Sequence, residues 1–211
     1  DIGYSIEGIP DYYNPTITYA LCKFQEVWYF GVLTKNDFAW EKHKQKPHSF
    51  CNSISLNVAK ALINIASKID KKKRLIDTCC GVGTIMLEAC FEGYSIEGCE
   101  INWKLCAQAR ENLAHFNYKA EVYRSDIKDV NKKYDAAIID LPYNLFSYAD
   151  DTIMLNIIKS AAKITDRVVI ASTTDITHLI NESGLNVSDH SIIQKRKKAN
   201  FSMQIWLCEK A

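Results

Sequence analysis

From Leu75 onward, short apolar runs alternate with stretches of helical period, a pattern that predicts β-strands feeding amphipathic helices. The predicted order is strand Leu75 to Asp77, helix to Phe91, strand Ser95 to Glu100, helix Trp103 to Phe116 and strand Ala120 to Arg124. It continues with strand Tyr134 to Asp140, helix Asp151 to Ile164, strand Arg167 to Ser172 and a short helix from Asp175. Repeated βα units of this kind predict an α/β fold with a doubly wound, mostly parallel sheet. Two closing runs, Val187 to Gln194 and Met203 to Glu209, add a C-terminal antiparallel hairpin and bring the sheet to seven strands.

The first residues follow another pattern. Pro10, Tyr12, Tyr13 and Pro15 interrupt regular structure, after which Thr16 to Cys22 and Val27 to Thr34 alternate as a hairpin does. The expected organisation is a small N-terminal β-hairpin extension and linker over residues 1–47, with Glu41 to His48 as the linker, and one main domain over 48–211. That domain opens with a helix bearing Leu56, Ala59, Ile63 and Ala66 on one face, for which Ser53 or Ser55 can serve as N-cap.

With 211 residues and 47% hydrophobic content the chain can bury one sizeable core. The formal net charge of +1 means that any nucleic-acid contact comes from local patches. The eight cysteines form no C-x-x-C pair and mostly lie in apolar runs, so they are expected to be reduced and buried. No signal peptide or membrane-spanning apolar stretch is evident, which with the reduced cysteines predicts a cytoplasmic protein with no membrane partner. His43 and His48 stand five residues apart without a nearby cysteine, poor geometry for a metal, and none is expected. The chain does not begin with methionine, which leaves room for an upstream domain or a separate RNA-binding partner.

The candidate chemistry begins where Leu75-Ile-Asp-Thr-Cys-Cys-Gly-Val-Gly-Thr-Ile-Met86 turns a strand into a helix. Gly81 and Gly83 let the backbone approach a ligand, and the following helix directs its free amides toward it. Ligands of an open α/β sheet bind outside the carboxyl ends of its strands, where Asp77, Glu100, Asp126 and Asp140 are all expected. Glu100 is placed to accept from ribose hydroxyls, Asp126 from an adenine amino group, and Ile101 and Ile127 to sandwich the ring. A dinucleotide fingerprint requires glycine where this chain has Met86, so S-adenosylmethionine is favoured over NAD.

Asp140-Leu-Pro-Tyr143 suits methyl transfer to an exocyclic amine. The Asp140 carboxylate and the Leu141 carbonyl can accept the two amine hydrogens, Pro142 sets the turn and Tyr143 can stack on the base. Of the two basic runs, Lys71 to Arg74 precedes the first strand and reads as a solvated edge. Lys195-Arg196-Lys197-Lys198 falls at the carboxyl-end rim, where phosphates of a large substrate can be held.

These motifs carry a resemblance. Asp77-Thr-Cys-Cys-Gly-Val-Gly-Thr-Ile-Met-Leu-Glu-Ala89 resembles the D-x-x-C-G-x-G-T-x-x-x-E-A motif of the RNA methylases that make N2-methylguanosine in tRNA. Lys46-Pro-His-Ser-Phe-Cys-Asn-Ser-Ile-Ser55, followed by Ala59-Lys-Ala61, is similar to that family's R-P-F-x-x-x-x-S-x-S and A-R-A segment. The likeness covers residues 46 to 145 and implies a Rossmann-like class I methyltransferase fold. It further implies that Asp77, Cys79, Gly81, Gly83, Glu100 and Asp126 bind S-adenosylmethionine, with Ser53 near the methionine end. Asp140 to Tyr143 would hold the guanine amine of an RNA, expected to be tRNA. Leu141 stands where the family more commonly has its first proline, and the THUMP domain usual in archaeal members has no counterpart in these residues. The alternatives are a DNA adenine-N6 or protein glutamine methyltransferase, since the same tetrad serves those amines, or a non-catalytic RNA-binding module of the same fold.

Overall fold

The computed structural model describes residues 2–50, 53–142, 150–194 and 202–210. Backbone contacts divide the chain into two units, Asp1–Ala39 and Trp40–Ala211. In the first, β1 (Tyr19–Phe24) and β2 (Val27–Val32) pair antiparallel around Gln25 and Glu26. Both turn residues have positive φ, the conformation that lets a two-residue turn match the strands' right-handed twist. The Tyr19 and Phe30 rings stack at 5.4 Å on one face of the hairpin.

The larger unit runs α1 (Leu56–Ser67), β3 (Arg74–Asp77), α2 (Thr84–Phe91), β4 (Ser95–Glu100), α3 (Trp103–His115) and β5 (Glu121–Arg124). It continues through β6 (Ala136–Asp140), α4 (Asp151–Ile164), β7 (Arg167–Ser172), α5 (Thr177–Glu182), β8 (Leu185–Gln194) and β9 (Ser202–Lys210). The strand order is β5-β4-β3-β6-β7-β9-β8, parallel except that β9 inserts antiparallel between β7 and β8. This is the anticipated seven-stranded sheet with its C-terminal hairpin. The chain winds outward from β3 to one edge, returns to β6 and winds to the other, so the order reverses between the carboxyl ends of β3 and β6, where α/β sheets bind ligands.

The two central strands are apolar on both faces because helices cover both. In β6, Ala136 and Ile138 join the core under α1 and α2, while Ala137 and Ile139 join the core under α4. The end of α1 is held from beneath by Arg167 of β7, whose guanidinium donates to the carbonyls of Ile65 and Ala66 and pairs with Glu209. Those terminal carbonyls have no partner within the helix, so a buried cation there satisfies them. At the other end Ser55 occupies the N-cap without a side-chain hydrogen bond, unlike Asn102 and Asp150, which cap α3 and α4.

The stretch Glu41 to His48, anticipated as a linker, packs within the larger unit. His43 is fully buried in a 3-10 helix (Ala39–Gln45), with Nδ1 2.5 Å from Glu88 Oε1 and Nε2 2.9 Å from the Tyr118 hydroxyl. Four of the cysteines anticipated as buried, Cys80, Cys99, Cys106 and Cys208, are so; Cys22 is exposed on the hairpin, and Cys79 and Cys90 are half-buried. All seven described cysteines are free thiols. No helix among the described residues is long and apolar enough to cross a membrane.

Candidate active site

The chain leaves β3 at Asp77 and stays tied to both neighbouring strands through the turn. The Thr78 N–H donates to Ile138 O and the Cys80 N–H to Cys99 O, both at 3.0 Å. Gly81 and Gly83 then take φ of 52° and 83°, which reverses the chain and starts α2. A Cβ on Gly83 would lie 3.3 Å from Cβ of Ala109, so this glycine also lets α2 approach α3. Gly98 in β4 has the same role from below, since a Cβ there would lie 2.3 Å from Met86 Sδ. The sequence pattern did not single it out, because a glycine inside a strand signals close approach only once its neighbour is known.

Outside the carboxyl ends of β3, β4, β5 and β6 lies a cleft of about 540 Å³. Of the residues expected to bind cofactor, Ser53, Asp77, Cys79, Gly81, Glu100, Ile101, Asp126 and Ile127 line it, as do Asp140, Leu141 and Pro142. Gly83 does not; its contribution is to the turn and helix packing behind the wall. Ile127 is buried while Ile101 is 68% exposed, so they contribute a floor and a rim. Tyr143 and Lys195, Arg196, Lys197 and Lys198 lie outside the described residues. The cleft also draws on residues the motifs did not indicate, among them Phe50, Ile54, Leu105, Ile153 and Ile157, the last two from the opening turns of α4.

Carboxylates set the electrostatics. Glu100 is nearly buried; its Oε2 accepts the Gly81 N–H at 2.9 Å and its Oε1 the Asn102 N–H at 2.8 Å. Burial raises its pKa, and these amides with that of Ile101 act against the rise by stabilising the anion. Asp126 accepts the Lys128 N–H at 3.0 Å and pairs with the Lys128 ammonium at 3.2 Å. Asp77 is different: it is 1% exposed, and neither carboxylate oxygen has a hydrogen-bond partner among the described residues. Burial first, then the negative charges of Asp140 and Glu100, hold its pKa well above the ordinary carboxylate value, and the nearby Cys79 N–H, not placed for a full hydrogen bond, offsets only part of the rise. Burial first, then the charges of Glu100 and Asp77, push the thiols of Cys79 and Cys80 up, so both stay protonated and act as packing groups.

Four carboxylates line the cleft, and no lysine, arginine or histidine among the described residues does. Such a wall receives a cationic ligand and repels a pyrophosphate. Asp77, buried without a hydrogen bond of normal geometry among the described residues, is suited to receive a donor such as an ammonium group. No group of three or more metal-ligating side chains occurs among the described residues.

A family model described as the methyltransferase small domain matches residues 44–184. The tRNA (guanine(10)-N2)-dimethyltransferase of Methanothermobacter thermautotrophicus is 32% identical over 118 residues, covering 54% of this chain and 35% of that protein. The chain thus spans about a third of that relative's length. TrmN from Thermus thermophilus superposes with a TM-score of 0.66 at 17% identity, over 95% of this chain and 62% of that one. Magnesium protoporphyrin IX methyltransferase from Synechocystis, solved with S-adenosylmethionine bound, superposes with a TM-score of 0.60 at 13% identity, over 83% and 93% respectively. Both structures share the fold.

Proposed function

The chain belongs to the methyltransferase small-domain family, and from that membership we propose that it is an S-adenosylmethionine-dependent RNA methyltransferase acting on the exocyclic N2 amine of a guanosine in tRNA. The observation that carries the reading is a cleft whose charged lining among the described residues is entirely acidic, with buried Asp77 on its wall. S-adenosylmethionine is a cation with an ammonium and a sulfonium, which suits a cleft lined by four carboxylates. Asp77 would hold the ammonium. Glu100 keeps free lone pairs beside its two amide bonds and would accept from the ribose hydroxyls, with Asp126 near the adenine amine and Ile101 and Ile127 against the ring. Cys79, Gly81 and Ser53 would shape the methionine end.

Held by these residues, S-adenosylmethionine would supply an electrophilic methyl group and leave as the neutral thioether. The chain's part is to present the amine. Its lone pair is delocalised into the guanine ring, and hydrogen bonds from the amine to Asp140 and to the Leu141 carbonyl favour the geometry in which that pair points at the methyl carbon. The amine proton leaves toward the Asp140 carboxylate and solvent. Pro142 holds the turn, Tyr143 supplies a stacking surface, and Lys195 to Lys198 supply charge for the RNA backbone. The guanine-N2 and tRNA assignments draw support from the tetrad and from the archaeal relative's named activity.

Incubation with methyl-labelled S-adenosylmethionine and unmodified bulk tRNA, followed by nucleoside analysis, is the test. Labelled N2-methylguanosine is the expected product. In parallel incubations with DNA and with protein, label in N6-methyladenine or in glutamine instead of tRNA would overturn the substrate assignment, and an absence of S-adenosylmethionine binding would overturn the whole reading.

A further inference from the structure

The stretch that follows the His43 anchor crosses α2 and α3 on its way to the cleft. Lys46 Nζ donates to Thr84 Oγ1 at 3.2 Å at the start of α2, and the stretch then reaches Asn112 of α3 at His48. Two residues further on, Phe50 stands on the cleft wall, and its carbonyl accepts the Ser53 N–H at 2.9 Å, which brings Ser53 and Ile54 to the same wall. The strap is thus fastened at Lys46 and His48 and reaches the site at Phe50, Ser53 and Ile54.

Asn112 is the fastening that joins two segments of the cleft wall. It is completely buried in α3. Its Oδ1 accepts the His48 N–H, and its Nδ2 donates both to His48 O and to Val82 O, each at 2.9 Å. Val82 sits between Gly81 and Gly83 in the turn after β3, so one side chain uses its acceptor and both of its donor hydrogens to hold the strap and the glycine turn in one register. A primary amide is the group that does this: it offers an acceptor and two donors without charge, and a buried position accepts it only when all are used.

We propose that Asn112 is a positioning residue for cofactor binding: through His48 and Val82 it sets the distance between the strap carrying Phe50, Ser53 and Ile54 and the turn carrying Gly81. The proposal rests on the reading of the cleft as an S-adenosylmethionine site. Asn112 itself does not line the cleft and acts through the two segments it joins.

The test is calorimetric titration of S-adenosylmethionine into the wild type, Asn112→Ala, Asn112→Asp, Phe50→Ala and the Asn112→Ala/Phe50→Ala double variant. The melting temperature of each is recorded. Asn112→Asp keeps the acceptor for His48 and removes both donors. Affinity is expected to fall about tenfold or more in both Asn112 variants. In turnover, KM for S-adenosylmethionine is expected to rise by that factor while kcat at saturation changes much less. Phe50→Ala, at a half-exposed position, is expected to weaken binding in the wild type and to add little in the Asn112→Ala background, because the strap is already displaced. Wild-type binding with unchanged affinity in the folded Asn112 variants would overturn the proposal, as would full additivity with Phe50→Ala. If the Asn112 variants do not fold, an unchanged affinity in Phe50→Ala alone overturns it, since the strap would then not be part of the site. A wild type that binds no S-adenosylmethionine would instead overturn the cofactor reading beneath it.

Discussion

Glu100 accepts the Gly81 N–H at 2.9 Å, so the acid that ends β4 holds the turn that follows β3. The same carboxylate is oriented by the Asn102 N–H at 2.8 Å, and Glu100 lines the cleft. Glu100→Ala removes both charge-assisted bonds along with the proposed ribose contacts. At about 1.5–3 kcal/mol for a hydrogen bond to a charged group, S-adenosylmethionine affinity is expected to fall about 10²-fold or more by calorimetry. A loss of less than about threefold would remove Glu100 from the binding site.

Asp77 makes cofactor affinity depend on pH. Its pKa is raised in the folded protein, so over the interval between the ordinary carboxylate value and the raised one the folded chain holds a proton that the unfolded chain has released. Stability of the ligand-free protein therefore falls as pH rises through that interval. An ammonium bound beside Asp77 selects the carboxylate, so binding is expected to release a proton and to tighten with rising pH over the same interval. Calorimetry in two buffers of different ionisation enthalpy measures the release. An Asp77→Asn protein should melt at higher temperature without ligand and bind S-adenosylmethionine more weakly, and equal binding enthalpies in the two buffers would contradict the assignment.

Asp140 is assigned to the amine, so its effect belongs on turnover. Asp140→Ala is expected to lower the methylation rate by about 10²–10⁴-fold, the range for a positioned proton acceptor, while S-adenosylmethionine binding stays close to that of the wild type. Because the Asp140 charge contributes to raising Asp77, the variant should also shift the pH dependence of binding toward lower pH. Retained methylation would show that the amine is held elsewhere.

The His43–Glu88 pair is fully buried on both sides. Removing one partner leaves the other without compensation, a loss of about 3–5 kcal/mol in comparable pairs. His43→Ala is accordingly expected to lower the melting temperature by roughly 6–20 °C for a domain of this size. Scanning calorimetry decides it, and a change within experimental error would mean that neither the pair with Glu88 nor the ring contacts with Phe91 and Phe116 hold the 3-10 helix bearing His43.

Much of the sheet was legible because strand and helix periods are local properties of the chain. β4, α4 and β7 have the boundaries the apolar pattern marks, and the acids Asp77, Glu100, Asp126 and Asp140 fall at one rim because every parallel strand ends on the same side. Asn112 and Glu88 were not legible as buried anchors. Each is a polar residue within a helical pattern, where polarity ordinarily marks the solvent face, and their partners lie 64 and 45 positions away. His43 read as part of a linker for the same reason: nothing in Glu41 to His48 shows that Glu88, Tyr118 and two phenylalanines enclose it.

The sequence by itself determined the order and kind of the elements, the turn that Gly81 and Gly83 permit, and the acids that end the strands, since each follows from a short run of residues and the geometry of the backbone. The tertiary structure alone decided that Asp77 is buried without a partner, that Gly98 and Gly83 stand where helices press close, and that Asn112 joins the strap to the glycine turn. Those properties depend on which distant groups surround a side chain, and burial and desolvation exist only once the layers have closed.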